Sequence, residues 1–147
     1  MADNPDAAKR ERIRTFGEVF TPPEIVAHML DMLEENDPNT FDVNRTFLEP
    51  ACGEGAFIIE ILRRKFERCR RRADYLDALA SVYGMDIQPQ NVATTISLVR
   101  DFCRQFFEPT KAELETIENH YMIADSLKVM RMMNDLNERG GADNGQG

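Results

Sequence analysis

Phe47-Leu48-Glu49-Pro50-Ala51-Cys52-Gly53-Glu54-Gly55-Ala56-Phe57 is the stretch whose reading decides the fold. Thr46 to Glu49 is a short apolar run of strand length, and Pro50 stops it. Gly53-x-Gly55 then makes a turn where missing side chains let backbone amides approach a ligand. Phe57, Ile58, Ile61, Leu62 and Phe66 follow at helical spacing, so the turn opens into a helix whose positive end points back at it.

Working outward, the pattern repeats. A short helix near Asp74–Leu79 leads to a second strand, Ser81 to Asp86, and Pro89 starts a helix running to about Phe107. Beyond the break at Pro109, Tyr121 to Ala124 reads as a third strand closed by Asp125, and a last helix runs from Ser126 to about Asn137. Upstream, Ile25, Val26, Met29, Leu30 and Leu33 predict a helix from about Pro22 to Glu35. Its expected N-cap is Thr21, with Glu24 three residues on completing a capping box. Residues 1–15 and 138–147, polar or glycine-rich, are expected to be flexible ends around a single unit at 16–137. Three strand–helix alternations predict an α/β fold with a parallel sheet covered by helices, in which a ligand lies beyond the carboxyl ends of the strands.

Composition sets the outer limits. At 147 residues, 42% hydrophobic and 30% charged, with 8 Gly and 7 Pro, the chain is one ordinary globular domain. No apolar run reaches the ~20 residues of a membrane span, and the first residues are too charged for a secretory signal, so a cytoplasmic protein without membrane partners is expected. Cys52, Cys69 and Cys103 have neither paired spacing nor even number, which argues against disulfides and a zinc ribbon. Net charge is −8, unlike a freestanding nucleic-acid binder. The exception is residues 63–72, with seven basic groups and one acidic: a phosphate-facing patch, or a solvated helix face favoured by the dipole.

Each strand end has a functional and a plainer reading. Asp86 can accept ribose hydroxyls, Asp125 has the equivalent position on the next strand, and together they suit a nucleoside carrying positive charge. Each can equally cap the helix after it. Glu49 can serve as a buried acceptor for backbone amides. The dinucleotide fingerprint is incomplete, because Ile58 stands where its third glycine belongs and Asp86 comes 33 residues after Gly53 rather than about twenty. A P-loop is excluded, since no Gly-Lys-Ser/Thr follows the turn.

Taken together, the strand ends resemble a known family, the S-adenosylmethionine-dependent N6-adenine DNA methyltransferases of restriction–modification systems. Gly17-Glu18-Val19-Phe20-Thr21-Pro22 resembles the segment ahead of the family's sheet, whose Thr-Pro helps hold the methionine carboxylate. The stretch from Phe47 to Phe57 is similar to the family's cofactor loop and is the most specific match. Tyr83-Gly84-Met85-Asp86-Ile87-Gln88-Pro89 resembles the next motif, where the acidic residue binds ribose and the apolar residue after it packs on the cofactor's adenine. Ala124-Asp125-Ser126-Leu127 resembles the third, whose aspartate reads the cofactor's amino group. The four motifs cover roughly residues 16–127.

The resemblance implies a three-layer Rossmann-like methyltransferase sheet, truncated after about three parallel strands. It implies S-adenosylmethionine as cofactor, held by Thr21, Glu49, Pro50, Ala51, Cys52, Gly53, Gly55, Asp86, Ile87, Asp125 and Ser126. Cys52 is expected to pack beneath the cofactor rather than act as a nucleophile. The family's catalytic Asn/Asp-Pro-Pro-Tyr/Phe, which grips a flipped-out adenine, does not occur in this sequence; Asn4-Pro5-Asp6 and Asp37-Pro38-Asn39 are only superficial matches. No catalytic residue is therefore expected, and the chain alone is expected to be inactive. DNA would be engaged through a missing domain or partner chain, and the bare flank of the first strand implies self-association or a second subunit. An inert cofactor-binding or subunit-assembly module is the alternative. A protein or RNA methyltransferase is a third reading, against which the Thr-Pro segment favours DNA.

Overall fold

The computed structural model describes residues 21–144, with side chains through residue 140. The expected N-terminal arm, the Gly17–Phe20 part of the Thr-Pro segment and Gly145–Gly147 lie outside the described residues. The elements run α1 (Pro23–Asn36), β1 (Phe47–Glu49), α2 (Ala56–Glu67), α3 (Arg72–Ala80), β2 (Val82–Asp86), α4 (Pro89–Cys103), α5 (Lys111–His120), β3 (Tyr121–Ile123) and α6 (Ser126–Asn144).

The sheet has three strands in the order β1-β2-β3, all parallel. Phe47 pairs with Val82 and Glu49 with Gly84, while Gly84 pairs with Tyr121 and Asp86 with Ile123. This register brings the ends at Glu49, Asp86 and Ile123 to one rim. Central β2 is buried at Val82, Gly84, Met85 and Asp86, as a strand flanked on both sides should be. Its Gly84 is required by packing, because a Cβ there would lie 3.0 Å from the Tyr121 ring and 3.2 Å from Cys52 Cβ.

One sheet face, with Val82 and Tyr121, belongs to the core that the helices build. Phe66 of α2 is its aromatic hub. Its ring meets Tyr75 edge-on at 4.9 Å, stacks on Phe102 at 5.2 Å and meets Phe106 edge-on at 5.2 Å, which locks α2, α3 and the end of α4 together. The opposite face carries Leu48 and Met122, both close to half exposed. Among the described residues β1 has no neighbour on its outer side, and no helix is long and apolar enough to cross a membrane.

The structure corrects four local expectations. Thr21 is not the N-cap of α1: Pro22 is, in an extended conformation with no side-chain cap, and its carbonyl accepts from the Ile25 and Val26 amides. The expected capping box is therefore absent. Helix α4 ends at Cys103, after which tight turns carry Phe106 and Phe107 round to Phe66. Helix α5 was not expected, although Thr110 caps it by accepting from the Glu113 amide at 3.3 Å. Helix α6 continues through Gly140 and Gly141 to Asn144, because glycine weakens a helix by about 1 kcal/mol without removing its N–H.

Lys65 is fully buried, and its ammonium donates to the carbonyls of Asp42 and Arg45, pinning the approach to β1 against α2. Burial lowers its pKa to about 8. The folded pKa lies below the unfolded value, so the unfolded chain binds more protons between about pH 8 and 10.5, and this group's contribution to stability rises with pH across that window. At full extent the gain is about 3 kcal/mol. Burial raises the thiols of Cys52 and Cys69 to about 11 and that of Cys103 to about 12, which acts oppositely above pH 9. Urea unfolding at pH 7.5 and 9 should therefore show the wild type gaining stability relative to Lys65→Met; parallel curves would contradict this account of Lys65.

Candidate cofactor site

The rim at the carboxyl ends of the strands is organised by Asp86, only 9% exposed. Its Oδ2 accepts from the Gly53 amide at 2.9 Å, joining β2 to the glycine turn. Its Oδ1 accepts from the Gln88 amide at 2.8 Å and from Asn91 Nδ2 at 3.3 Å, joining β2 to the start of α4. A carboxylate offers about four acceptor positions, so roughly one remains for a ligand hydroxyl. The sequence reading allowed for two ribose hydroxyls or a cap on the following helix; Asp86 bonds the amide of Gln88, the N-cap residue itself, and the Asn91 side chain, and no side chain caps the first turn of α4.

The turn is held from several sides. The Cys52 amide donates to Met85 O at 2.9 Å, the Gly55 amide to Cys52 O at 2.8 Å, and Ala51 N to Glu49 Oε1 at 3.1 Å. Gly53 and Gly55 have φ of +53° and +90°, the left-handed region that glycine enters at no steric cost. They differ in surroundings. A Cβ on Gly53 would meet nothing within 4 Å, whereas one on Gly55 would lie 3.1 Å from Thr95 Oγ1. The turn is thus open over Gly53 and packed against α4 beneath Gly55.

The remaining expected residues, Thr21 apart, fall around this turn or along the same rim. Glu49 is a half-buried acceptor whose carboxyl is raised by burial and lowered by the Ala51 amide, burial being the larger effect. Cys52 is buried, and a thiol pushed up to about 11 by burial stays protonated and unreactive near neutral pH. Pro50 and Ala51 form the bend after β1. Ile87 is 63% exposed at the end of β2, a large apolar side chain standing at the rim. Asp125 follows β3, and its Oδ1 accepts from Leu127 N at 3.0 Å, so it caps α6; Ser126 begins that helix. Thr21 precedes α1, but Pro22 and Pro23 carry no N–H and the Ile25 and Val26 amides donate to Pro22 O, which leaves few for an anion.

Four of the seven basic groups of the block pair with carboxylates of this chain, while Arg70 and Arg71 are exposed. Arg64 pairs with Asp31 and Glu60, Arg68 with Glu34 and Asp42, Arg72 with Glu113, and Arg63 with Glu60. Arg72 also covers the Phe107 ring at 3.9 Å. With Lys65 buried, the solvated-face reading holds better than the phosphate-facing one. Sequence reasoning missed Thr95 and Asn91, whose helical spacing of four residues places both on the side of α4 that meets the turn.

The two glycines should respond differently to a methyl group. Gly53→Ala should lower stability by about 1 kcal/mol for the strained φ alone. Gly55→Ala adds the clash with Thr95, for about 2–3 kcal/mol in all. Chemical unfolding of both variants checks this; equal losses would contradict the packing against α4.

Comparison with known proteins supplies the family. The family model "N-6 DNA Methylase" matches residues 7–102. The Type II methyltransferase M.VspI of Vibrio sp. (strain 343) is 30% identical over 87 residues, 59% of this chain, and the match takes in 17% of that protein's length. No solved structure matches significantly. The matched residues hold α1, the glycine turn, β2 and most of α4, and the chain belongs to the N-6 DNA methylase family.

Proposed function

We propose that this chain is the S-adenosylmethionine-binding part of a site-specific DNA adenine-N6 methyltransferase. The observation that carries the proposal is the rim itself, where an open left-handed glycine turn, a buried aspartate with about one acceptor position left and an exposed apolar side chain adjoin. The residues present fit the group. The space over Gly53 admits a ligand against backbone, Asp86 takes one ribose hydroxyl, and Ile87 offers a surface to the cofactor's adenine. Asp125 with Ser126 reads the adenine's amino group. Glu49, Pro50, Ala51, Cys52 and Gly55 shape the floor.

S-adenosylmethionine, when bound, supplies an electrophilic methyl on a sulfonium, and the acidic rim favours that positive charge. The chain's own contribution is to bind and orient, which is where much of the barrier reduction in such a transfer arises. The family's Asn/Asp-Pro-Pro-Tyr/Phe does not occur in this sequence, and we place the grip on a flipped adenine, with DNA recognition, on further polypeptide in the same chain or a second one. The other reading, an inert cofactor-binding or assembly module, draws on the open outer side of β1, where an edge strand invites pairing with another strand.

Three measurements decide between these readings. Calorimetry with S-adenosylmethionine should give measurable binding for the wild type and at least about tenfold weaker binding for Asp86→Ala; equal heats would remove Asp86 from the site. Incubation with tritiated cofactor and mixed DNA should leave adenine unlabelled, and labelled adenine would show the chain to be catalytically sufficient. Light scattering after size exclusion should show association that grows with concentration, whereas a monomer at every concentration would remove the β1 edge as an interface.

A further inference from the structure

We propose that Thr95 is a positioning residue that sets the glycine turn in its ligand-receiving form, an inference that rests on the cofactor reading above. Thr95 is fully buried on α4, and its Oγ1 lies 3.3 Å from Gly53 O and 3.7 Å from Cys52 Sγ. A hydroxyl has one proton to donate, and the carbonyl is both the nearer and the stronger acceptor, so the bond goes to Gly53 O.

Gly53 is thereby gripped at both of its backbone polar groups by two different elements. Asp86 at the end of β2 takes its N–H, and Thr95 of α4 takes its C=O. The peptide unit is planar and trans, so its C=O and N–H point in opposite directions. Drawing the Gly53 carbonyl toward α4 therefore turns the Glu54 N–H toward the opposite side of the turn. The same side chain fills the space where Gly55 lacks a Cβ, at 3.1 Å from Oγ1 and 3.4 Å from Cγ2, and so fixes the far end of the turn as well. The threonine supplies a hydrogen bond at one glycine and a packing surface at the other, and the two effects can be separated by substitution.

Thr95→Val keeps the branched shape and removes the hydroxyl; Thr95→Ser keeps the hydroxyl and removes the methyl. Both are compared with the wild-type chain by amide hydrogen exchange at residues 53–55 without ligand, and by calorimetry with S-adenosylmethionine. The proposal expects Thr95→Val to exchange faster at the turn and to bind about tenfold more weakly, with Thr95→Ser close to wild type in binding. Unchanged exchange at the turn, or unchanged affinity in Thr95→Val beside a wild type that binds, overturns it. So does a Thr95→Ser variant as impaired as Thr95→Val, because packing alone would then explain the effect. Absence of binding in all three proteins sinks the cofactor reading and the ligand-receiving role with it, while the exchange comparison still upholds or overturns the hold on the turn.

Discussion

The carboxylate of Asp86 is the point on which this structure turns. A buried carboxylate is costly unless donors converge on it, and here the donors come from the glycine turn, the backbone two residues on and the side chain of Asn91. One acid group thus joins the central strand, the turn after β1 and the first turn of α4. The parallel register supplies the rest. It sets three strand ends along one rim, Glu49 level with Gly84 and Asp86 with Ile123, so the loops that leave them are neighbours despite lying tens of residues apart in the chain.

That division marks what could be read from the sequence. Most helices announced themselves through periodicity, because burial on one face leaves a local imprint, while the strands showed as short apolar runs and the turn through its glycines. Helix α5 was legible too, in Thr110 and Glu113, but its weak apolar pattern hid it behind Pro109. The cap at Thr21 failed because two successive prolines move the helix start to Pro23. The double duty of Asp86 was invisible, since its partner amide lies 33 residues away. The fate of the basic block was likewise settled by distant carboxylates: Asp31 and Asp42 are contributed by segments that only tertiary folding brings to α2.

The surface carries its own message. Ile25, Met29 and Met32 form an exposed stripe on α1, Leu48 and Met122 occupy the open sheet face, and Leu127, Met130, Met132, Met133 and Leu136 are exposed along α6. Single exposed apolar residues are ordinary, but grouped ones are characteristic of surfaces that meet other polypeptide. The matched share of M.VspI leaves most of that protein's length without a counterpart among the aligned residues.

Lys65 gives the rim a mechanical character. By fastening the carbonyls of Asp42 and Arg45 to the third turn of α2, it closes the intervening backbone into a ring that contains β1 and the whole glycine bend. A ring clamped at its base has little slack with which to swing. The conformational entropy of ordering that bend is therefore surrendered when the chain folds.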